Sequence, residues 1–194
     1  MTYPYAHPMF IDLVINIFDR GGGKDMNNLV LVEPAKEYEK SFENYISAYE
    51  KSKDTYYFDK YKKGLQDFDS YLEELYKLSK GIEVPEDWVK TSTFWLISNG
   101  EVAGVVRVRH EEIGTAGHIG YDISPLYRNR GYGTEILKLA LVEAEKIGIK
   151  EVIVTCNTDN VASRKIIEKN NGKLLGTIFD EEDDEYLYKY SITV

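Results

Sequence analysis

The spacing of apolar residues changes along the chain, and the changes divide the sequence into helices and strands. One stripe with helical spacing consists of Tyr38, Phe42, Tyr45, Ile46 and Tyr49. A second stripe consists of Leu65, Phe68, Leu72 and Leu75. Each stripe places its members on one face of a helix, so two amphipathic helices are predicted. Pro34 precedes the first stripe and favours the first turn of its helix.

The segments around these helices have the composition and alternation of strands. Residues 29–33 read as a short first strand, and residues 93–110 as a hairpin around Asn99-Gly100, a pair that is typical of tight hairpin turns. In the second arm of the hairpin, apolar Val106 and Val108 alternate with Arg107 and Arg109. This alternation predicts one core face and one solvated face.

The C-terminal half alternates strands and helices. Strands are predicted at 118–124 and 151–156, with a helix at 136–147 between them, and this order predicts a parallel crossover. A further helix is predicted at 160–171, and a closing hairpin from residues 172–179 and 185–194 around an acidic tip. The sequence contains no internal repeat. It therefore predicts a mixed sheet with helices on both faces.

Composition limits the number of domains and the kinds of partner. A chain of 194 residues is long enough for one sizeable core, and its net charge of -9 argues against nucleic acid as the main partner. An acidic surface favours small or cationic partners. The single cysteine, Cys156, excludes an internal disulfide, and three scattered histidines lack metal-ligand spacing. We expect a cytoplasmic protein without a structural metal.

The N-terminal residues differ from the rest of the chain. Residues 9–18 are an apolar run of ten, which is too short to span a bilayer, and a glycine-rich polar stretch follows. We interpret residues 1–25 as an extension and residues 26–194 as the domain, with no membrane partner. The alternative is an extra strand or helix that packs on the domain or on a second copy, so a homodimer stays open.

The stretch YRNRGYGTEI, residues 127–136, places two glycines where a strand becomes a helix. A helix N-terminus presents unpaired N–H groups and the positive end of the helix dipole. Gly131 and Gly133 carry no Cβ that would keep a bulky anion away. These features predict a site for phosphate groups.

Two common phosphate-binding motifs fit this loop poorly. A Walker A loop needs GxxxxGK[ST], and the dinucleotide fingerprint GxGxxG needs a third glycine where this chain has Ile136. A third pattern, R/Q-x-x-G-x-G/A after a strand, is matched position by position by Arg128, Gly131 and Gly133.

That third pattern carries a resemblance to a known superfamily. Residues from about 29 to 190 resemble the GNAT superfamily of acyl-CoA-dependent N-acyltransferases, on the strength of RNRGYG (128–133), the preceding Ser124-Pro125 and NTDNVASRKIIEKNNGKLLG (157–176). The region from GHIGYDIS through KNNGKLLG, residues 117–176, looks closest to predicted acetyltransferases related to the branch that acetylates ribosomal-protein N-termini. The resemblance implies an α/β fold of the α+β type: a mixed, mostly antiparallel twisted sheet with a central parallel strand pair.

The resemblance also implies which residues bind acetyl-CoA. The pyrophosphate would lie on the backbone N–H groups of Arg130, Gly131, Tyr132, Gly133 and Thr134. Arg128, the first residue of the matched pattern, is expected to contact CoA as well. Such charge-assisted hydrogen bonds contribute about 1.5 to 3 kcal/mol each. In the family the backbone near the position of Ile123 holds the pantetheine and polarises the thioester carbonyl. Asn160 and Ser163 match the family's second contact with CoA.

The expected acid departs from the family pattern. Many members place a tyrosine four residues beyond the Asn-x-x-Ser/Ala position to protonate the leaving thiolate, and Ile167 stands there in this chain. Ser163, from the ribosomal-protein branch, is the first candidate acid and Tyr121 the second. Candidates for the base are the four residues Glu111, Glu112, His118 and Asp122, of which we favour His118 because a histidine already titrates near neutral pH.

The expected activity is direct transfer of the acetyl group of acetyl-CoA to a primary amine. The acceptor would belong to a small molecule or a protein N-terminus. Two alternatives stay open: a non-catalytic acetyl-CoA-binding module, suggested by Ile167, and a transferase that uses a longer acyl-CoA. Residues with plain structural explanations include Asn160, which can cap a helix, and Cys156, which can be core.

Overall fold

The computed structural model describes residues 28–194. The predicted N-terminal extension, residues 1–25, lies outside them. In chain order the elements are β1 (Val30–Val32), a 3₁₀ turn (Lys36–Tyr38), α1 (Glu39–Ser52), α2 (Thr55–Tyr61), α3 (Lys63–Gln66), α4 (Phe68–Lys80), β2 (Thr91–Ser98), β3 (Glu101–Ile113), β4 (Gly117–Ile123), a second 3₁₀ turn (Pro125–Tyr127), α5 (Tyr132–Lys146), β5 (Glu151–Asn157), α6 (Val161–Lys169), β6 (Lys173–Asp180) and β7 (Glu185–Thr193).

The strands form two antiparallel sheets. The first has the order β1-β2-β3-β4 and the second the order β5-β7-β6. The predicted hairpin is confirmed: Ser98 pairs with Glu101, and Asn99 and Gly100 both have positive φ, which a tight hairpin turn requires. The closing hairpin of β6 and β7 is confirmed as well.

Helices cover both faces of the first sheet, as predicted. The tyrosine-rich helices α1 and α4 pack with Trp95 and Val105 on one face. Helix α5 packs its apolar stripe on the other face, where Val106 and Val108 point. The face of β3 that carries Arg107 was expected to be solvated, and this prediction is wrong: α1 and α2 cover it, and the Arg107 side chain is only 16% exposed.

The second predicted helix is two helices, α3 and α4. Asp67 ends α3 and caps α4, because its side chain accepts a hydrogen bond from the Ser70 N–H at 3.0 Å. The sequence stripe joined Leu65 to Phe68 across this break, but Leu65 is exposed and Phe68 is buried. Helix α2 was not predicted, and it supplies Tyr57 and Tyr61 to the site described below.

The predicted parallel pair of β4 and β5 is not confirmed, since every strand ladder in residues 28–194 is antiparallel. The two strands nevertheless meet near the start of β4. The Ile153 N–H donates to His118 Nδ1 at 2.9 Å, and Thr155 Oγ1 donates to the Thr115 carbonyl at 2.7 Å. The sheets are therefore joined through side chains at this end.

Candidate active site

The loop before α5 leaves backbone N–H groups without partners. Asn129 (φ 62°) and Gly131 (φ 88°) turn the chain sharply into the helix. Within residues 28–194, the N–H groups of residues 130–133 donate to no protein acceptor. The Thr134 N–H differs from the prediction, because it donates to the Gly131 carbonyl at 3.0 Å. The loop fits an anionic group such as a pyrophosphate.

The two glycines serve different purposes. Gly131 has the left-handed conformation that a side chain disfavours. Gly133 permits close packing of α5 on α6, because a Cβ at Gly133 would lie 2.5 Å from Ile166 Cδ1. Gly133 was predicted to leave room for an anion, but its open side faces α6.

Side chains of the loop hold it in place. Arg128 Nε donates to the Ile123 carbonyl at 3.1 Å, and its guanidinium pairs with Asp54 at 3.0 Å. The Tyr132 hydroxyl is 2.9 Å from Ser98 Oγ, and its ring stacks on Tyr127. Arg130 is exposed with its guanidinium over the Tyr127 ring. Of the predicted CoA contacts, Arg130 thus has its charge free for a ligand, whereas Arg128 ties β4 to the connection of α1 and α2.

Helix α6 begins beside this loop. The Asn160 side chain accepts a hydrogen bond from the Ser163 N–H at 3.0 Å, so Asn160 is the N-cap. Its side-chain N–H₂ group remains available, and the predicted contact with CoA stays a prediction. Ile167 is fully buried in the core, which agrees with its lack of a hydroxyl. Ser163 lies in the first turn, three residues before Ile166, which packs on Gly133.

Tyr121 of β4 lies beside Ser163, at the start of α6. Its hydroxyl is buried and has no hydrogen-bond partner in the described part of the chain. Burial raises the pKa of the Tyr121 phenol, and the neighbouring Ser163 hydroxyl acts in the opposite direction, although no hydrogen bond of normal geometry joins the two. Both predicted acids are therefore brought together. The phenol keeps its proton at neutral pH.

His118 is placed unfavourably for a base. Its Nδ1 accepts the Ile153 N–H, so the proton of the neutral ring is on Nε2 and neither nitrogen has a free lone pair. Burial lowers the pKa of His118. The geometry argues against the prediction that His118 is the base and gives it the role of linking β4 to β5.

We expect His118 to make stability depend on pH. Its pKa is lowered in the folded state, so below about pH 6.5, the ordinary pKa of histidine, the unfolded chain binds more protons than the folded chain. The free energy of unfolding therefore decreases as the pH is lowered through this range. His118→Asn keeps an acceptor for the Ile153 N–H but does not titrate. The free energy of unfolding, measured with urea between about pH 5 and pH 8, should depend less steeply on pH in the variant than in the wild type. The difference should be at most about 1.4 kcal/mol per pH unit. An equal slope in both proteins would refute this role, and His110→Asn gives the contribution of the other described histidine.

Asp122 is the centre of a buried cluster on the face of β4 opposite to Tyr121. Its side chain is 1% exposed and accepts hydrogen bonds from the hydroxyls of Tyr45, Tyr49 (2.8 Å) and Tyr61 (2.5 Å). Arg107 Nη2 lies 3.3 Å from Asp122 Oδ1, and Arg107 Nη1 donates to the Tyr61 hydroxyl at 2.8 Å. A carboxylate with this many donors and no access to solvent is structural, so Asp122 is a poor base. The sequence spacing predicted Tyr45 and Tyr49 on the apolar face of a helix, but it indicated neither Tyr61 nor the shared carboxylate.

The remaining base candidates lie at the exposed end of β3. Glu112 forms an ion pair with Lys189 at 2.7 Å, and Glu111 is exposed. Neither has a contact with Tyr121 or Ser163 among the described hydrogen bonds. The structure thus gathers the acid candidates and disperses the base candidates.

Residues 28–194 contain no group of three histidine, cysteine or carboxylate side chains placed to hold a metal ion. No helix in this part of the chain is long and apolar enough to cross a membrane.

The α+β fold places a helix start with unpartnered N–H groups beside the buried hydroxyl of Tyr121 and the half-buried hydroxyl of Ser163, an arrangement that suits a transferase using an acyl-CoA. Residues 29–173 match the model of the family described as acetyltransferase (GNAT) domain. The chain therefore belongs to the GNAT acetyltransferase family, and its reaction is acetyl transfer from acetyl-CoA. No curated protein matches the chain.

Solved structures share the fold at low identity. The microcin C7 self-immunity acetyltransferase MccE, solved with acetyl-CoA and AMP, is 17% identical with a TM-score of 0.66, covering 87% of this chain and 93% of that one. The Salmonella typhimurium acetyltransferase that modifies the N-terminal serine of ribosomal protein L7/L12 is 15% identical with a TM-score of 0.62, covering 87% and 96%. RimJ of Mycobacterium smegmatis, in complex with CoA-disulfide, is 12% identical with a TM-score of 0.67, covering 86% and 82%.

Proposed function

We propose that the acceptor is a primary amine, belonging to a small molecule or to a protein or peptide N-terminus. The observation that carries the proposal is the Tyr121 hydroxyl, which is buried, unpaired within residues 28–194 and close to Ser163. A transferase needs a proton donor for the thiolate that leaves CoA. An unpaired buried hydroxyl is costly to folding and is expected where a ligand completes its hydrogen bonding.

The loop before α5 and the hydroxyls of Tyr121 and Ser163 are placed so that one CoA molecule could contact both. Ile166 of α6 packs on Gly133 at the start of α5, in the loop proposed to bind phosphate, and Ser163 lies one turn earlier on α6. Since one helical turn rises about 5.4 Å, α6 connects the proposed pyrophosphate site to the proposed thioester site. We propose that Arg130, Gly131, Tyr132, Gly133 and Thr134 hold the phosphates. Ile123, Asn160 and Ser163 would line the path of the pantetheine.

The reaction proceeds by direct attack. The neutral amine nitrogen forms a bond to the acetyl carbon, the carbon–sulfur bond breaks, and the nitrogen loses one proton while the sulfur gains one. Tyr121 donates its proton to the sulfur and recovers one from the nitrogen through Ser163 or water. This relay avoids a lasting tyrosinate, which would be unfavourable because burial raises the pKa of Tyr121.

The dispersal of the base candidates favours one kind of amine. An α-amino group has a pKa of about 7.7 to 8.0 and is partly neutral at pH 7, whereas a lysine amine near 10.4 is almost wholly charged. A site without a dedicated base therefore suits α-amines better. One of the structurally similar enzymes modifies an N-terminal serine, which supports an α-amine as the acceptor.

The experiment is the release of free CoA from acetyl-CoA in the presence and absence of amines. Transfer predicts release that depends on the amine, with α-amines preferred over side-chain amines. Tight binding of acetyl-CoA with no release across α-amino acids, peptides and polyamines would instead support a non-catalytic binding module. Release that is faster with a longer acyl-CoA would contradict acetyl as the preferred group.

Tyr121→Phe should lower kcat by about a hundredfold, because a positioned proton donor contributes about 10²- to 10⁴-fold. Its KM for acetyl-CoA should change little, since the ring remains. Ser163→Ala should also lower kcat with little change in affinity. Tyr186→Phe is the matched control, because Tyr186 is 61% exposed on β7 of the closing hairpin. Wild-type kcat in Tyr121→Phe would exclude Tyr121 as the acid.

A further inference from the structure

Three cationic side chains gather over one face of β4. We call Lys60, Arg107 and Arg109 the cationic patch. Arg109 lies on β3 beside Arg107, whose strand partner is Gly120 on β4. A Cβ on Gly120 would be 3.6 Å from Arg109 Nη2 and 4.0 Å from Arg107 Nε, so both guanidinium groups border this glycine. Lys60 extends from α2 on the same side, 5.3 Å from the centre of the Tyr56 ring.

Among residues 28–194 the three cations of the patch have one carboxylate partner, Asp122. Arg107 shares Asp122 with three tyrosines, and its Nε is buried without a partner in residues 28–194. Arg109 donates only from Nη1, to the carbonyls of Ala116 (3.1 Å) and Gly117 (3.3 Å). Neither Arg109 nor Lys60 forms an ion pair within the described residues, although the chain has 33 acidic and 24 basic residues. An acidic chain thus keeps unneutralised positive charge at one place.

The three cations are close enough that Arg107 lowers the pKa values of the other two. Burial lowers the pKa of Arg109, and Arg107 lowers it further. Lys60 is exposed, yet desolvation and then Arg107 lower its pKa too. The mutual repulsion is unfavourable for the protein alone, and a bound anion would relieve it.

The patch is near the proposed reaction centre. Gly120 directly precedes Tyr121, and β4 is the edge strand of its sheet. The guanidinium groups beside Gly120 and the side chain of Tyr121 therefore lie on opposite faces of one sheet edge. Tyr57 of α2 lies beside the patch, because its ring stacks on the Tyr61 ring with centroids 6.4 Å apart and the Tyr61 hydroxyl accepts a hydrogen bond from Arg107 at 2.8 Å. The Tyr57 phenol also contributes to the raised pKa of Tyr121. A small molecule at this edge can reach both the patch and Tyr121.

We propose that the cationic patch binds a carboxylate of the acceptor, so that the preferred substrate is an α-amine that carries an acidic group. Arg109 offers Nε and Nη2 for a two-point contact with a carboxylate, and Lys60 adds a third donor. This inference rests on the proposed function, because it defines the amine that the enzyme acetylates.

The test compares two peptides that differ only in charge, Ser-Asp-amide and Ser-Asn-amide, by CoA release. The wild-type enzyme should prefer the aspartyl peptide by about tenfold or more in kcat/KM, the size expected for charge-assisted hydrogen bonds. Arg109→Gln should bring this ratio close to one, and Lys60→Gln, on an exposed helix position, should lower it in the same direction. Lys150→Gln removes an equal charge at an exposed site before β5 and should leave the ratio unchanged.

The outcomes separate the two proposals. Equal use of both peptides, or a preference that survives in Arg109→Gln and Lys60→Gln, would overturn the carboxylate site while leaving amine acetylation intact. An increased KM for acetyl-CoA in Arg109→Gln with an unchanged peptide ratio would overturn it too, because the patch would then bind CoA. No transfer to any amine would overturn the proposed function and this inference together.

Discussion

Glutamate in place of Gly131 should weaken the binding of acetyl-CoA by more than about a hundredfold. The substitution places a negative charge beside the unpaired N–H groups of residues 130–133 and forces a side chain into a backbone with φ 88°. Loss of two charge-assisted hydrogen bonds, at about 1.5 to 3 kcal/mol each, accounts for a loss of that size. Calorimetric titration with acetyl-CoA measures it directly.

Two controls separate charge from backbone strain. Gly131→Ala carries the same strain without the charge, and a left-handed alanine costs about 1 to 2 kcal/mol, so its affinity should fall much less. Acetyl-pantetheine lacks the pyrophosphate and the nucleotide, and its binding should be insensitive to the glutamate. Normal affinity for acetyl-CoA in Gly131→Glu would show that the loop is a turn and no phosphate site.

Removal of the Asp122 carboxylate should produce the largest loss of stability. Asp122→Ala leaves the buried Arg107 guanidinium and the hydroxyls of Tyr45, Tyr49 and Tyr61 without their acceptor. Breaking a buried charged pair in this way costs about 3 to 5 kcal/mol. Chemical denaturation should show this decrease in the free energy of unfolding.

Compensation provides a sharper test of the Asp122 cluster. The double variant Asp122→Leu with Arg107→Met removes both charges and should lose less than the sum of the two single changes. Asp183→Asn, at the exposed tip of the β6–β7 hairpin, should change stability by no more than about 0.5 kcal/mol. A loss of similar size in Asp122→Ala and Asp183→Asn would mean that the cluster contributes little.

Local signals in the sequence were sufficient for most elements. Asn99-Gly100 predicted the hairpin because few residue pairs accept positive φ at both positions. The apolar stripe at 136–147 predicted α5, since one buried helix face has one periodicity. The break at Asp67 was missed because the flanking apolar residues kept a helical spacing across it, and the cap depends on the actual backbone turn.

The sequence by itself determined the family and the position of the glycine loop before α5, because glycines, arginine and a helix start within ten residues are fixed by local chain geometry. Only the tertiary structure decided the roles of polar side chains on β3 and β4. Strand alternation indicates that Arg107 and Asp122 share a side of the sheet, but it cannot show that α1 and α2 bury that side and supply three hydroxyls. The bond of His118 to Ile153 joins residues 35 positions apart. Such contacts depend on how distant segments pack, and the chemical roles of these residues follow from that packing.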